Sequence, residues 1–381
     1  MADMSGALPT TTDRDHQWAA TMAGHRGATD GVQHAHPSTL GIGRSLARDR
    51  AEREADEDAA LAPGATRAIG GGDRARPEDP DALRTCFERD RDRILHASAF
   101  RRLAGKTQVF IFPADHQRTR LTHALEVAQV ATALADALGL NRSLTEAIAL
   151  GHDCGHGPGG HASEDAFSPY LPGGYDHAAW GADVVLAPLN LCHATLDGIR
   201  NHSWSRPTPA TAEGEVVAWA DRIAYVCHDF EDAVSAGIID STALPVQVRH
   251  AGGARRSGQI NRFVAGVIAA SIRSGVVAMD AADAEALAAF RAFNYEHLYL
   301  RPASVAQANI VITMLRALVE YFSTHPDRLA QAPDDDRGSA QVVQAAVAHV
   351  AGMTDRFACQ QAVIHLDWSA AQLPRGLDLA P

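Results

Sequence analysis

The sequence of 381 residues carries no excess of positive charge and almost no lysine. It has 34 Lys and Arg residues against 46 Asp and Glu residues, which gives a formal net charge of −12. A protein that coats nucleic acid is therefore not expected, because binding to a phosphate backbone needs a basic surface. Any polyanionic ligand must instead meet a local cluster of cations.

Paired cysteines and long hydrophobic runs are also lacking. The five cysteines form no CxxC pair, so neither a disulfide framework nor a zinc ribbon is indicated. The most apolar stretch, residues 263–272, ends at Arg273 and is too short to span a bilayer. The first residues show no signal-peptide pattern. These absences favour a cytoplasmic protein without a membrane partner.

Alternating, strand-like patterns are missing from Arg84 onward, where apolar residues instead recur at spacings of three and four. This periodicity predicts an all-α fold. A capping-box sequence at 143–146 predicts a helix that ends at Gly155. The other predicted helices cover residues 119–140, 212–236, 259–274, 281–299, 304–323 and 340–364.

Residues 1–80 mix small and polar residues with scattered histidines and show no sustained apolar period. This composition predicts a flexible leader with one short, solvated helix around 44–61. An arm that docks on a neighbouring subunit is the alternative. We expect a helical core over 81–240 and a further helical region over 241–381 that packs on it.

Three segments carry candidate chemistry, namely 119–127 (TRLTHALEV), 151–161 (GHDCGHGPGGH) and 219–229 (WADRIAYVCHD). Burying imidazoles and carboxylates among apolar residues is costly unless something neutralises them, and a divalent metal does so. A single histidine on an apolar helix is usually a core residue, but the ordered pattern H…HD…D predicts a metal site. Its ligands are His123, His152, Asp153 and Asp221. Nitrogen and oxygen ligands suit Mn, Fe, Co, Ni or Zn.

A local positive cluster lies between Arg84 and Arg120, where nine basic residues stand against four acidic ones. Arg120, three residues before His123, and Lys106 are candidate substrate contacts; Arg200 and Arg222 are further candidates. We expect at least half of the clustered arginines to form surface ion pairs instead.

These segments resemble the HD-domain phosphohydrolase superfamily, and within it the deoxynucleoside triphosphate triphosphohydrolases, or dGTPase-like proteins. The resemblance runs from about Thr85 to Ala358. RRLAGKTQVF followed by RTRLTH and GHxPxGH is distinctive of this family. The segments that carry the resemblance are residues 91–110, 118–130, 144–161, 175–177, 220–229 and 351–358.

The resemblance implies an HD-domain helical core with additional C-terminal helices, and it implies roles for individual residues. His161 matches the family's catalytic histidine near the α-phosphate, and Glu164 lies within one helical turn of it. A carboxylate beside an imidazole fixes its tautomer and favours its protonated form. His156 matches a second active-site histidine, and His177 one that helps to protonate the leaving group.

Other matched residues are implied to contact the sugar. Gln108, Tyr225 and Asp229 match residues that read the deoxyribose and its 3'-hydroxyl. The spacing of Asp221, Tyr225 and Asp229 places all three on one helix face.

The implied reaction is hydrolysis at the α-phosphorus of a dNTP, which gives a deoxynucleoside and inorganic triphosphate. Mn²⁺ or Mg²⁺ is the expected metal. The family tends to form homo-oligomers, often with allosteric nucleotide sites, and a regulatory nucleotide or single-stranded nucleic acid is a further possible partner. Family members commonly have an aromatic residue where this chain has Gly159, so we expect a looser loop or a reshaped pocket.

Two other functions stay open. The first is another HD-type nucleotide phosphohydrolase, such as a nucleotidase or phosphodiesterase; KTQVF together with IAYVCHD argues against it. The second is a sensor that binds dNTPs or nucleic acid without hydrolysis. Retention of all four predicted ligands together with His161 and Glu164 argues against a sensor, which needs no proton-transfer groups.

Overall fold

The computed structural model describes residues 12–43, 46–112, 117–329 and 337–376. The chain divides into two compact units, residues 1–48 and 49–381. The first unit contains helix α1 (Asp13–Ala20) and an antiparallel ribbon of β1 (His25–Arg26) and β2 (Gln33–His34), in which His25 pairs with His34. Helix α1 buries none of its residues.

The second unit is helical, as the sequence predicts. Its helices are α2 (Arg50–Ala60), α3 (Cys86–His96), α4 (Ser98–Arg102), α5 (Arg120–Leu138), α6 (Arg142–Gly151), α7 (Ala162–Phe167), α8 (His177–Trp180), α9 (His193–Asn201), α10 (Ala212–Ser235), α11 (Val246–Gly252), α12 (Arg256–Ser274), α13 (Ala281–Asn294), α14 (Pro302–Thr324), α15 (Ala340–Ala351) and α16 (Asp355–Leu366).

The larger core lies around α5, α6 and α10, which pack on one another and on α3, α9, α12 and α13. Helix α5 ends at Gly139, whose left-handed backbone (φ 64°) suits glycine. Helix α6 begins at Asn141, whose side chain accepts the Leu144 N–H, and not at the predicted capping box two residues later. The tight α5–α6 turn places the end of α6 beside α5.

A second core is formed by α14, α15 and α16 with α7. Helix α14 is long and apolar enough to cross a membrane by length and composition. Leu315, Leu318 and Phe322 are nevertheless buried in the second core. This helix is predicted over 304–323, but the sequence indicates 263–272 as the most apolar stretch, because Arg316 and Glu320 interrupt the apolar residues of α14.

Two predicted helices are divided in the structure. The predicted helix 340–364 consists of α15 and α16, because Thr354 accepts the Phe357 N–H and starts a new helix. The predicted helix 281–299 consists of α13 and a π-helical turn, Tyr295–Tyr299. The short helices α3, α4, α7, α8, α9 and α11 were not predicted, since a few turns carry little periodicity.

The predicted leader is too long, because the second compact unit begins at Asp49 and not near residue 81. The Thr66 backbone N–H and hydroxyl donate to buried Glu213, and Arg74 forms a buried ion pair with Asp90. A few buried hydrogen bonds and ion pairs thus hold residues 49–80 in place, although the composition of this segment predicted flexibility. Residues 1–11 and 44–45 of the predicted leader lie outside the described residues, as do 113–116, 330–336 and 377–381.

Candidate active site

The four predicted metal ligands converge where α5, α6 and α10 meet. His123 Nε2 lies 3.0 Å from Asp221 Oδ1 and 3.9 Å from Asp153 Oδ2. His152 Nε2 lies 3.6 Å from Asp153 Oδ1 and 3.8 Å from Asp221 Oδ1. Ligands that share one ion at ~2.1 Å lie about 3 to 4 Å apart. Ligand atoms of His123, His152 and Asp153 lie within 4.8 Å of one another, which suits one divalent metal. Asp221 Oδ1 adjoins both histidines.

The hydrogen bonds of this cluster leave one imidazole nitrogen of His152 without a partner among the described residues. His152 Nδ1 donates to the Ala149 carbonyl over 2.6 Å, which leaves Nε2 as the atom with the free lone pair. No described residue is hydrogen-bonded to this buried Nε2. Burial raises the pKa of Asp153, but the charges of Arg120, His152 and His156 outweigh burial and lower it well below its ordinary value. An anionic carboxylate beside an unpaired imidazole nitrogen suits a metal.

A second cluster contains His156, His161, Glu164 and His177, whose ligand-type atoms lie within 4.8 Å of one another. His177 Nδ1 donates to Glu164, and His161 Nδ1 lies 3.4 Å from the other oxygen of the same carboxylate. The His156 and His177 rings are stacked with centroids 3.7 Å apart. The predicted catalytic residues are thus side by side, next to the predicted metal ligands.

The pKa values of the two buried histidines of this cluster are shifted in opposite directions. Burial lowers the pKa of His177, but its hydrogen bond to Glu164 more than offsets burial, so the net shift is upward. Burial lowers the pKa of His156 well below its ordinary value. His177 is therefore the buried histidine of the cluster that carries a proton most readily. The His161 side chain is 74% exposed and so is free to reach a ligand.

Sequence reasoning missed His202, which follows α9 and is buried between the two clusters. Its Nε2 lies 3.3 Å from His177 Nε2, and its Nδ1 donates to the Ile199 carbonyl over 2.8 Å. Donor atoms of Asp153, His177 and His202 lie within 4.8 Å of one another. A histidine at the end of a helix and just before a Ser/Pro loop was the only sequence signal.

Both clusters open into one cavity of about 1170 Å³. At its far end, Arg291 Nε donates to the Tyr225 hydroxyl over 2.7 Å. The Arg222 guanidinium lies 3.4 Å from the centroid of the Trp204 ring, and no described residue is hydrogen-bonded to its buried Nε. The predicted substrate contacts that line this cavity are Gln108, Arg120, Tyr225 and Asp229.

Besides Tyr225, two of these contacts already have partners. Arg120 donates to Asp153 Oδ2 over 2.7 Å, so it pairs with a predicted metal ligand. The Asp229 carboxylate accepts hydrogen bonds from Arg118 and Tyr299. A ligand that contacts Asp229 must therefore share it with these two side chains.

The prediction that Lys106 contacts substrate is corrected by the structure. Lys106 is buried, and its Nζ donates to the carbonyl of His156 and, over 3.0 Å, to that of Ala351. Burial lowers its pKa to about 7. The side chain thus holds backbone at the edge of the site, a role that its position in a basic segment did not indicate.

Surface ion pairs absorb much of the predicted positive cluster, as expected. Arg84 pairs with Asp81 and Asp92, and Glu78 accepts from both Arg89 and Arg93. Arg200, one of the weaker candidates, forms an exposed pair with Asp183. The arginines that line the cavity are Arg120, Arg222, Arg291, Arg301 and Arg375.

The loop around Gly159 is packed tightly, contrary to the expectation of a looser loop. Gly159 has φ +73°, and a Cβ added there would lie 2.5 Å from Val311 Cγ1 of α14. The Gly159 N–H also donates to Asp355 over 2.8 Å. Val311 thus fills the space beside this residue, and no larger side chain fits.

Two families match the chain. The HD domain family matches residues 120–226, and the phosphohydrolase-associated domain family matches residues 277–363. The HD domain match contains all four predicted metal ligands.

Several curated relatives are named deoxyguanosinetriphosphate triphosphohydrolase-like protein. One from Caldanaerobacter subterraneus is 41% identical over 295 residues, which are 75% of this chain and 86% of the relative. One from Paracoccus denitrificans is 35% identical in an alignment of 362 positions, which covers 76% of this chain and 95% of the relative. A hypothetical protein from Aquifex aeolicus superposes with a TM-score of 0.47 at 17% identity, covering 74% of this chain and 69% of its own.

Proposed function

The chain belongs to the deoxyguanosinetriphosphate triphosphohydrolase-like family of HD-domain phosphohydrolases, and from that premise we propose that it hydrolyses dNTPs to deoxynucleosides and inorganic triphosphate. One observation carries the proposal. A single cavity joins a His/Asp cluster with unpaired nitrogen atoms, a Glu-linked histidine pair and an arginine- and tyrosine-lined end. Metal, proton-transfer and polyanion-binding groups are what this reaction requires.

HD domains are metal-dependent, and the His/Asp cluster has the donors to hold an ion. We infer that Mn²⁺ or Mg²⁺ is the working metal, with Fe, Co, Ni and Zn as alternatives. When bound, a divalent ion supplies charge that polarises a phosphoryl oxygen and orients water. The residues that would hold it are His123, His152, Asp153 and Asp221.

Glu164 organises the proton transfer. Its carboxylate accepts from His177 Nδ1 and lies beside His161 Nδ1, so one acid orients both rings. With Nδ1 bound to Glu164, the Nε2 atom of His177 faces the metal-ligand cluster, 3.9 Å from Asp153 Oδ1. A histidine with a raised pKa in this position is suited to donate a proton to the departing 5'-oxygen, and exposed His161 is the second candidate donor.

The far end of the cavity suits the rest of a dNTP. Arg222 and Arg291 line this end, and their guanidinium groups suit the oxygens of a triphosphate, although acidic side chains also line the cavity. Tyr225, Gln108 and Asp229 supply the polar groups for the deoxyribose.

Assembly and location follow as further proposals. We expect a homo-oligomer, measured by light scattering with and without dNTP, and regulation by a bound nucleotide or single-stranded nucleic acid remains a prediction. We propose a cytoplasmic location, as the sequence predicts, because dNTPs are made and used there.

The decisive experiment incubates the purified full chain with each dNTP and Mn²⁺ or Mg²⁺ and separates the phosphate products by ion chromatography. Inorganic triphosphate with free deoxynucleoside is the expected result, and the His152→Ala/Asp153→Ala variant is expected to give none. Pyrophosphate or single phosphate as the first product would assign the chain to another HD hydrolase class. Binding without any product, for single dNTPs and for pairs, would favour the sensor.

A further inference from the structure

A buried carboxylate from the C-terminal region holds the catalytic loop, residues 156–161. Asp355, the first residue of α16, is 5% exposed. Its Oδ2 accepts the Thr107 N–H over 2.9 Å and the Thr107 hydroxyl over 2.5 Å. Its Oδ1 accepts the Gly159 N–H over 2.8 Å. One side chain thus joins α16, the segment before α5 and the catalytic loop.

Lys106 fixes the other end of the same loop. Its Nζ donates to the His156 carbonyl and to the Ala351 carbonyl at the end of α15. The Lys106 carbonyl in turn accepts the Arg120 N–H over 3.3 Å, at the start of the helix that carries His123. Lys106 and Asp355 therefore connect the C-terminal helices, the catalytic loop and the metal-binding helix through backbone groups.

The loop has local hydrogen bonds, since Ser163 Oγ accepts the Gly157 N–H and donates to the Gly160 carbonyl, and Asp355 adds a bond from a distant helix. Gly159 and Gly160 both have left-handed φ values, +73° and +63°. Glycines in such conformations are the most costly residues to order. His156 and His161 flank the two glycines, and His156 Nε2 lies only 3.1 Å from Asp153 Oδ1. The position of both imidazoles therefore follows the backbone that Asp355 holds.

We propose that Asp355 is a positioning residue, which holds the Gly159 backbone so that His156 and His161 stay in register with the metal ligands during turnover. This inference rests on the proposed function. It makes the phosphohydrolase-associated region a working part of the active site, since the loop geometry depends on a side chain of α16.

The chain contains a second buried carboxylate that serves as a matched control for substitution of Asp355. Glu213 is also fully buried, and its carboxylate accepts two backbone N–H groups and one threonine hydroxyl, from Thr66 and Asn141. It thus makes the same set of hydrogen bonds as Asp355, but between the 49–80 segment and the core. Glu213→Gln has the same chemical change as Asp355→Asn without touching the catalytic loop.

The experiment compares Asp355→Asn and Glu213→Gln in the full chain by steady-state kinetics, metal content and hydrogen–deuterium exchange. We expect Asp355→Asn to lower kcat about 10- to 100-fold, as displacement of catalytic groups by about 1 Å does, with KM and metal content unchanged. We also expect faster exchange in peptides that cover residues 155–162. Glu213→Gln is expected to keep both kcat and the exchange of this loop.

Equal kcat values for the two variants, or unchanged exchange in the loop of Asp355→Asn, would overturn the proposal. If Asp355→Asn does not fold, Thr107→Val removes one bond to Asp355 and keeps the side-chain volume, and the same two readouts decide. A wild-type chain that hydrolyses no dNTP would overturn the proposed function instead. In that case, hydrogen–deuterium exchange in the wild type and in Asp355→Asn still tests whether Asp355 holds the loop.

Discussion

The two ends of the cavity satisfy their polar groups in different ways. At the histidine end, Nε2 of His152 has no hydrogen-bonding partner among the described residues, and carboxylates face it from two helices. At the arginine end, Arg291 donates to Tyr225, and Tyr299 donates to Asp229. The first end thus keeps one free imidazole nitrogen beside two carboxylates, whereas at the second end the hydroxyl and carboxylate that a substrate would contact are already bonded to other side chains. The effects of substitutions at the two ends should therefore differ in size and in whether they change turnover or substrate binding.

The largest effect is expected from the metal ligands. Asp153→Ala should lower turnover by about 10³-fold or more, because the charge that stabilises the transition state leaves with the ion. Metal content by mass spectrometry should fall in parallel. A variant that loses its metal but keeps its turnover would contradict the role given to this end of the cavity.

Glu164→Gln should have the next largest effect, because general acid–base groups contribute about 10²- to 10⁴-fold. The hydrogen bond to Glu164 offsets the effect of burial and raises the pKa of His177, so its loss should lower that pKa. If His177 acts as the acid, the alkaline limb of the kcat profile should move to lower pH. Metal content should stay at the wild-type level, and a profile that does not move would exclude His177 as the titrating acid.

At the arginine end we expect a smaller effect, confined to binding. Arg222→Ala should raise KM for the dNTP about tenfold with little change in kcat, since a hydrogen bond to a charged group contributes about 1.5 to 3 kcal/mol. Arg200→Ala is the matched control, because Arg200 forms an exposed ion pair with Asp183. A fall in kcat without a change in KM would show that the two ends do not divide binding from chemistry.

Stability, rather than turnover, should depend on Lys106 at the edge of the histidine end. Burial lowers the pKa of Lys106 to about 7, below its value in the unfolded chain. The cost of burying this charge is therefore fully present below pH 7 and is relieved as the pH rises towards 10.5. Relative to Lys106→Met, the wild-type free energy of unfolding should increase between pH 7 and pH 10 by no more than about 1.4 kcal/mol per pH unit. If denaturant titrations gave the same pH dependence of the free energy of unfolding for the wild type and for Lys106→Met, the burial of a titrating amine would be contradicted.

Much of the fold could be predicted because the long helices carry their own signal. Helices α5, α10, α12 and α14 lie within a few residues of their predicted bounds, since each repeats apolar residues over several turns. The division at Thr354 and the order of residues 49–80 could not be predicted. They depend on single capping or anchoring bonds, such as that of Thr66 to Glu213, which leave no periodic pattern.

The sequence by itself determined the candidate metal ligands. Each candidate ligand is a polar residue on or next to an apolar helix face. Because the helices bury those faces, the side chains of His123, Asp221 and the adjacent pair His152 and Asp153 have to point into the same core. In a helix, the spacing of residues sets the direction in which their side chains point, so local sequence was sufficient to predict these ligands.

Only the tertiary structure decided which other side chains join them. His202, Arg291 and Asp355 reach the site from α9, α13 and α16, which are distant in sequence, while Lys106 turns away from the cavity although it lies in the basic segment. The physical reason is that long-range packing sets where a side chain ends, and the free energy of each buried polar group depends on the partners that packing brings to it.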